Sequence, residues 1–193
     1  MNDVVLWQQL KAGDKSALER IYRQYAADLL KYGRKFSRSE QLVEDCLQDM
    51  FVELWRNRTG LGSTDSILRY LLVSIRRKVI RESVRSRKLV SDQEPTEYQF
   101  DVVIAVDEAL ITAELSAERA ARVKAAMESL SKRQKEVIYL KYITGLDYED
   151  ISEIMGVNYQ SVRNLVSNAL KKLRGDLLPY VIVAMQMGLD IVP

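Results

Sequence analysis

The side chains best placed to do chemistry in this chain are carboxylates. Residues 39–55, SEQLVEDCLQDMFVELW, hold five acids and no base. Within them Asp45, Gln48 and Asp49 lie about one helical turn apart, off the apolar stripe. Three readings fit such a set. It can be a solvated helix face. It can be a docking face, because unopposed carboxylates repel one another and gain from a cationic surface. It can be a metal site, although one helix rarely supplies enough convergent ligands. Other catalytic chemistry has little to work with. The chain has no histidine and one cysteine, Cys46. That excludes a histidine general base, a histidine–zinc site, a cysteine-rich metal site and an internal disulfide. Cys46 lies among apolar neighbours and reads as a core residue rather than a redox sensor. No nucleophile–base pair is present, so neither enzymatic activity nor a cofactor is expected.

The bases are as segregated as the acids. Residues 69–88, RYLLVSIRRKVIRESVRSRK, hold eight bases and one acid. Lys78, Arg81, Arg85 and Lys88 recur at steps of three, four and three, and Arg76 and Arg77 lie beside that stripe. A stripe of this kind is a footprint for phosphates. If about five were neutralised, log K would fall with log salt at a slope near −4 to −5. Binding to a membrane surface is the rival, but the apolar side of this helix is needed for the core. The overall net charge of +2 would not have flagged nucleic acid, so the distribution is the signal.

A third stretch, residues 147–174, reads DYEDISEIMGVNYQSVRNLVSNALKKLR. Asp147 can cap a helix over 148–155, Gly156 supplies a tight turn, and Asn158 can cap a second helix. Ile151, Met155 and Val157 face Val162 and Leu165, the spacing at which two crossed helices share a small core. The pattern predicts a helix-turn-helix; an ordinary helical hairpin with a solvated basic end is the alternative. The outward residues of its second helix are Tyr159, Gln160, Arg163, Asn164, Ser167, Asn168 and Lys171. Arg and Asn carry the forked donors that match guanine and adenine edges. Lys171, Lys172 and Arg174 suit phosphates, which position the protein without reading sequence.

The elements that hold these groups follow from periodicity. Eight glycines, three prolines and periods near 3.6 predict an all-α protein of two small helical domains joined by an acidic linker, the C-terminal one a helix-turn-helix. Asp14 is expected to cap a helix with Leu18, Ile21, Tyr22, Tyr25, Leu29 and Phe36 on one face. Ser37-x-x-Glu40 reads as a capping box for a helix carrying Val43, Leu47, Met50 and Leu54. Residues 57–64, NRTGLGST, read as a loop, followed by a helix to about Lys88 with Leu68, Leu72, Ile75 and Val79 inward. The first domain is thus 1–90. Eight acids and no base fall between Leu89 and Glu118, and 91–117 reads as the linker. The second domain spans 118–176. There Ser131-x-x-Gln134 is a second capping box, opening a helix with Val137, Ile138, Leu140 and Ile143 that Gly145 ends. The apolar tail 177–193 is either a final helix on the second domain or a surface for a regulator. No apolar run is long enough to cross a membrane, and the first residues lack a signal-peptide pattern, so a cytoplasmic protein is expected.

Taken together, these segments resemble the extracytoplasmic-function (ECF) sigma factors, within the sigma-70 family of bacterial RNA polymerase. The resemblance covers about 10–90 and 118–175. Asp45, Gln48, Asp49, Phe51 and Trp55 match the family's acid-rich D-x-x-Q-(E/D)-x-F-x-x-x-W pattern. The resemblance implies that Asp45, Gln48, Asp49 and Trp55 dock core RNA polymerase, on the coiled coil of its largest subunit. It implies that Asn57 and Arg58, with Arg76, Arg77, Lys78, Arg81, Arg85 and Lys88, engage the −10 element. On this resemblance the loop 57–64 holds a base flipped from the duplex, which costs a few kcal/mol that a fitted pocket must offset. Tyr159, Gln160, Arg163, Asn164, Ser167, Asn168, Lys171 and Lys172 then face the −35 element. The recognition helix departs from many family members in carrying Leu165 and Asn168, and Tyr70 stands where Trp is frequent. The implied partners are core RNA polymerase, promoter DNA and an anti-sigma factor. A free-standing helix-turn-helix regulator is the alternative function.

Overall fold

The computed structural model describes residues 2–88, 99–100, 122 and 125–187. The chain divides into two helical units, Met1–Gln99 and Phe100–Pro193, and the described residues contain no strand. The all-α expectation holds. Apart from Gln99 and Phe100, the segment 91–117 lies outside the described residues, as do 118–121 and the chain end 188–193.

The first unit begins with a helix that the periodicity did not predict, α1, Asp3–Lys11. Asn2 caps it, its Oδ1 accepting from the Val4 N–H at 3.0 Å. Only Leu6, Trp7 and Leu10 are buried, while Val4 and Val5 are exposed, so the apolar pattern is too narrow to announce itself. Helix α2, Lys15–Gly33, is capped by Asp14 as expected. Its buried face is Ala17, Ile21, Tyr25, Leu29 and Tyr32. Leu18 is only half-buried and Tyr22 is exposed, contrary to expectation.

Helix α3, Glu40–Arg56, is capped by Ser39 and not by Ser37. The Ser39 hydroxyl accepts from Leu42 N–H at 3.2 Å, while Ser37 accepts from Ser39 N–H one step earlier. Val43, Cys46, Leu47, Met50, Phe51 and Leu54 point inward. Helix α4, Ile67–Lys88, buries Ile67, Leu71, Leu72, Ile75 and Val79, so Leu68 cedes its expected place to its neighbours. Gly33 stands where these helices converge: a Cβ there would lie 2.7 Å from Val43 Cγ1. Only glycine permits that approach.

In the second unit a helical stretch at 125–129 precedes α5, Lys132–Ile138. The expected capping box is complete: Gln134 N–H donates to the Ser131 hydroxyl, and Ser131 N–H to Gln134 Oε1. The chain then widens into a π-turn, Tyr139–Ile143, before Gly145. Asp147 caps α6, Tyr148–Met155. Gly156 adopts φ 65° and ψ 40°, the left-handed conformation in which any side chain is strained. Asn158 Oδ1 then accepts from Ser161 N–H at 2.7 Å and opens α7, Tyr159–Met187. The two helices pack on each other, with Ile151, Ile154, Met155, Val162 and Val166 buried; Val157 and Leu165 are half-buried at the margin.

Two expected boundaries move. Phe100, read as linker, is fully buried in the second unit, edge-on to Tyr139 with ring centroids 6.0 Å apart. Helix α7 also runs through residue 176, burying Leu177 and Val181 and containing Pro179. The described part of the apolar tail is therefore helix continuous with the recognition segment.

One buried charge in the first unit has a measurable consequence. Lys35 is 5% exposed, and burial pushes its ammonium from 10.5 down to about 8. Below pH 8 it is charged in both folded and unfolded chains, and its burial penalty is constant. Between pH 8 and 10.5 the folded chain releases the proton first, so the penalty fades as pH rises. Lys35→Met is expected to stabilise the protein by on the order of 2 kcal/mol at pH 7. The gap to wild type should narrow at pH 9.5. Urea unfolding at the two pH values measures both.

Candidate nucleic-acid interface

The acidic and basic faces anticipated from the sequence belong to α3 and α4, which pack against each other. On α3, Asp45, Gln48 and Asp49 are exposed on one side. Trp55 is half-buried, with the Arg58 guanidinium over its ring at 4.3 Å. Between α3 and the far half of α4 runs a groove lined by Ser39, Asp45, Cys46, Asp49, Glu82 and Ser86 among others. Burial, reinforced by Glu82, pushes the Cys46 thiol up to about 11. At neutral pH it is a protonated core residue, not a nucleophile. Among the described residues no group of carboxylates and thiol could hold a metal ion.

The basic stripe on α4 starts differently from its sequence pattern. Lys78 is 6% exposed. Its Nζ lies 2.6 Å from Glu53 Oε1 and 3.7 Å from Asp49 Oδ2. The cause is position: it follows Ile75 by three and adjoins Val79, so its stem enters the apolar seam and its ammonium emerges at the carboxylates of α3. It is a bridge between two helices. The exposed ridge consists of Arg77, Arg81 and Arg85, at steps of four. Glu82 pairs with two of them, at 3.2 Å from Arg81 and 3.8 Å from Arg85. Arg76 is half-buried, over the Phe36 ring at 5.8 Å. Lys88 is the last residue of α4, and its side chain lies outside the described residues.

The loop 57–64 joins the two helices. Asn57 is exposed and ends α3, its N–H donating to Glu53 O at 2.9 Å. Arg58–Gly60 form a short 3-10 turn. Arg58 Nη1 donates to Trp55 O at 2.9 Å, so this arginine serves the turn itself and is half-buried. The Trp7 indole N–H donates to Gly62 O at 2.8 Å, and Trp7 packs edge-on against Tyr70 at 4.9 Å. Sequence reasoning missed Trp7, and the only available signal was a large aromatic on an otherwise weak helix.

In the second unit Tyr159, Gln160, Arg163, Asn164, Ser167, Asn168, Lys171 and Lys172 are all exposed on α7. Tyr148, Gln160, Arg163, Asn164 and Ser167 line one depression on this face. Gln160 Nε2 donates to Asn164 Oδ1 at 3.1 Å, which leaves the remaining amide donors and the Arg163 fork outward. Tyr148, from α6, was not anticipated; it stacks edge-on with Tyr159 at 5.9 Å and lies 4.9 Å from Lys141 Nζ. Lys172 turns away from the others. Its Nζ donates to Ser129 O at 2.8 Å and reaches Gln134 Oε1 at 3.3 Å, tying α7 to the start of α5.

This order of parts has known counterparts. Residues 21–89 match the family model "Sigma-70 region 2", and residues 120–173 match "Sigma-70, region 4". The chain belongs to the sigma-70 family of RNA polymerase sigma factors, and to its ECF group. It is 27% identical over 170 residues to the ECF RNA polymerase sigma factor SigK of Mycolicibacterium vanbaalenii, covering 88% of this chain and 86% of that one. It is 28% identical over 187 residues to SigK of a Mycobacterium species (strain JLS), covering 90% and 89%. Among solved structures, CnrH in complex with the cytosolic domain of CnrY shares the fold with a TM-score of 0.59 at 21% identity, over 91% of this chain and 96% of that chain. The sigma factor RpoE in complex with the anti-sigma factor NepR from Bartonella quintana gives 0.57 at 19%, over 91% and 98%.

The two kinds of cation on α4 separate experimentally. Lys78→Ala is expected to lower stability by about 1–2 kcal/mol and to leave the salt slope of promoter binding unchanged. Arg81→Ala and Arg85→Ala are each expected to reduce that slope by about 1 at unchanged stability. Urea melts and salt titrations of polymerase-bound protein on promoter DNA distinguish them.

Proposed function

We propose that this sigma factor divides its work as follows. The exposed carboxylates Asp45 and Asp49, with Gln48 and Trp55, hold core RNA polymerase, through the coiled coil of its largest subunit. Arg77, Arg81 and Arg85, with Arg76 and the loop beginning at Asn57 and Arg58, engage the −10 element and its opened strand. Tyr159, Gln160, Arg163, Asn164, Ser167, Asn168 and Lys171 read or flank the −35 element. Lys78 and Lys172 support these faces from behind. The first domain, about 1–90, and the second, from about 100 onward, contact separate stretches of one promoter. The protein carries no catalysis of its own, works in the cytoplasm and is held in check by an anti-sigma factor, as its structural neighbour RpoE is found in complex with the anti-sigma factor NepR. No helix among the described residues is long and apolar enough to cross a membrane.

The observation that carries this reading is the pairing of faces. One apolar seam joins a helix whose exposed side is acidic to a helix whose exposed side is basic, ahead of a helix-turn-helix in the same chain. A free-standing regulator needs only the last of these.

Run-off transcription with purified core polymerase on a library of promoters tests it. Asp45→Arg is the cleaner docking variant, because Asp49 also lies near Lys78. It is expected to reduce polymerase binding at least tenfold, the loss of about 1.4 kcal/mol or more that reversing an interfacial charge produces. Transcription should fall in parallel, with melting unchanged. Unchanged polymerase binding by Asp45→Arg would overturn the assignment.

A further inference from the structure

We propose that helix α1 is the positioning element of the loop 57–64, with Trp7 and Asp3 fixing, before promoter binding, the backbone that receives the displaced base. The inference rests on the loop engaging the opened strand, as under Proposed function, and holding a base of it, as the family resemblance implies, and adds to that reading the residues that set the loop's shape.

The loop holds itself weakly. Gly60 N–H donates to Asn57 O and Leu61 N–H to Arg58 O at 3.4 Å, and the Thr64 hydroxyl donates to Ser66 O. Arg58 adds one tie back to Trp55 O at 2.9 Å, and a further restraint comes from α1, more than fifty residues earlier. The Trp7 indole N–H reaches Gly62 O at 2.8 Å. Trp7 is 1% exposed, and a buried indole must spend its single donor on a partner. Asp3 Oδ2 accepts from Ile67 N–H at 2.8 Å, supplying from a distant helix one of the caps that α4 needs. The other oxygen of Asp3 accepts from the Tyr25 hydroxyl at 3.2 Å. Burial, then the charge of Asp3, push that hydroxyl up to about 12, so it stays a donor. The carboxylate is thus held from behind while it grips the start of α4. One short helix pins the middle of the loop and the helix that follows it.

The glycines indicate what the pinned backbone is for. Neither Gly60 nor Gly62 adopts a positive φ, and a Cβ at either would meet nothing within 4 Å. The protein's own packing does not demand glycine at these positions. A bare Cα there leaves room for something arriving from outside to lie close against the backbone. Trp7 holds Gly62 by its carbonyl and leaves its open side free.

The test uses polymerase assembled with the full chain, on a promoter selected from the library. Trp7→Phe keeps a ring against Tyr70 and removes only the N–H. Promoter opening, followed by permanganate reactivity, is expected to slow about 5–10-fold, the equivalent of one net hydrogen bond. Polymerase affinity and −35 duplex binding should stay within twofold. Non-template nucleotides of the −10 element are then made abasic one at a time. At the position where wild type loses most, the wild-type and Trp7→Phe rates should coincide, because no base is left to capture. Asp3→Ala should behave like Trp7→Phe, and Asp3→Asn, which retains an oxygen for Ile67 N–H, should recover most of the rate. A Trp7→Phe variant that opens promoters at the wild-type rate overturns the proposal. So does a defect of equal size on intact and abasic DNA, which marks a general structural role. If wild type itself is indifferent to every abasic substitution, the loop captures no base, and the reading beneath falls together with the proposal.

Discussion

The α3–α4 seam constrains everything else in the first unit. Val43, Leu47, Met50 and Leu54 on one side and Leu71, Leu72, Ile75 and Val79 on the other are at most 4% exposed. Burial of this kind is worth roughly 1.5–3 kcal/mol per large apolar side chain. Once it is made, the remaining faces of the two helices have no freedom. The acids of α3 and the arginines of α4 must emerge on their own outward sides, with the loop 57–64 at the end where the helices are joined. Between α3 and α4, unlike charges meet along the seam's edge, where Lys78 stands between Asp49 and Glu53. A lysine suits the position because four methylenes follow the apolar groove before the charge begins. An arginine would bring a broader, planar head to carboxylates that are themselves mostly exposed.

Local chemistry could be read from the sequence, and distant partnerships could not. Asp14, Asp147, Asn158, the Ser131–Gln134 box and the Gly156 turn each act within four residues of themselves, and all occur as expected. The outward residues of α7 were likewise given by a period of 3.6. What the pattern could not show shares one cause. Lys78 and Lys172 both continue a basic pattern, and their nitrogens also bond Glu53 and Ser129 on other helices. Ser39 displaces Ser37 as a cap because both are one residue type and only the chain's path decides between them. Helix α1 is nearly invisible as a pattern, since its value lies in Asp3 and Trp7, whose partners are Ile67 and Gly62. Phe100 looked like linker because its neighbours are acidic, yet Tyr139 needed an aromatic neighbour that no window of sequence could supply.

The second unit shows the same economy in a different form. Helix α7 serves two purposes along its length. Its first turns carry the outward polar residues and, on the reverse side, Val162 and Val166 against α6. Its later turns bury Ala169, Leu173, Leu177 and Val181. Pro179 lies within it and removes the hydrogen bond to the carbonyl of residue 175, a loss of about 3 kcal/mol in an isolated helix interior. Leu177 and Val181, buried on either side of it, supply apolar contacts of comparable size. A helix held that firmly at its far end presents its near end at a defined angle. The bond from Lys172 to Ser129 adds a polar tie midway.

Charge distribution also bears on why such a chain works with a larger partner. The 29 bases and 27 acids nearly cancel, so there is little long-range attraction to DNA. Among the described residues of α4 the exposed cations are Arg77, Arg81 and Arg85, two of them shared with Glu82. On α7, Arg163 and Lys171 face outward while Lys172 is engaged. If each of these outward cations neutralised one phosphate, the described residues of α4 or of α7 alone would contribute a salt slope of only about −2 to −3. Two weak contacts on one promoter become strong when a third body fixes both, because the second then binds at high effective concentration. On the function proposed above, the exposed carboxylates of α3 recruit that body, leaving the arginines of α4 for the promoter.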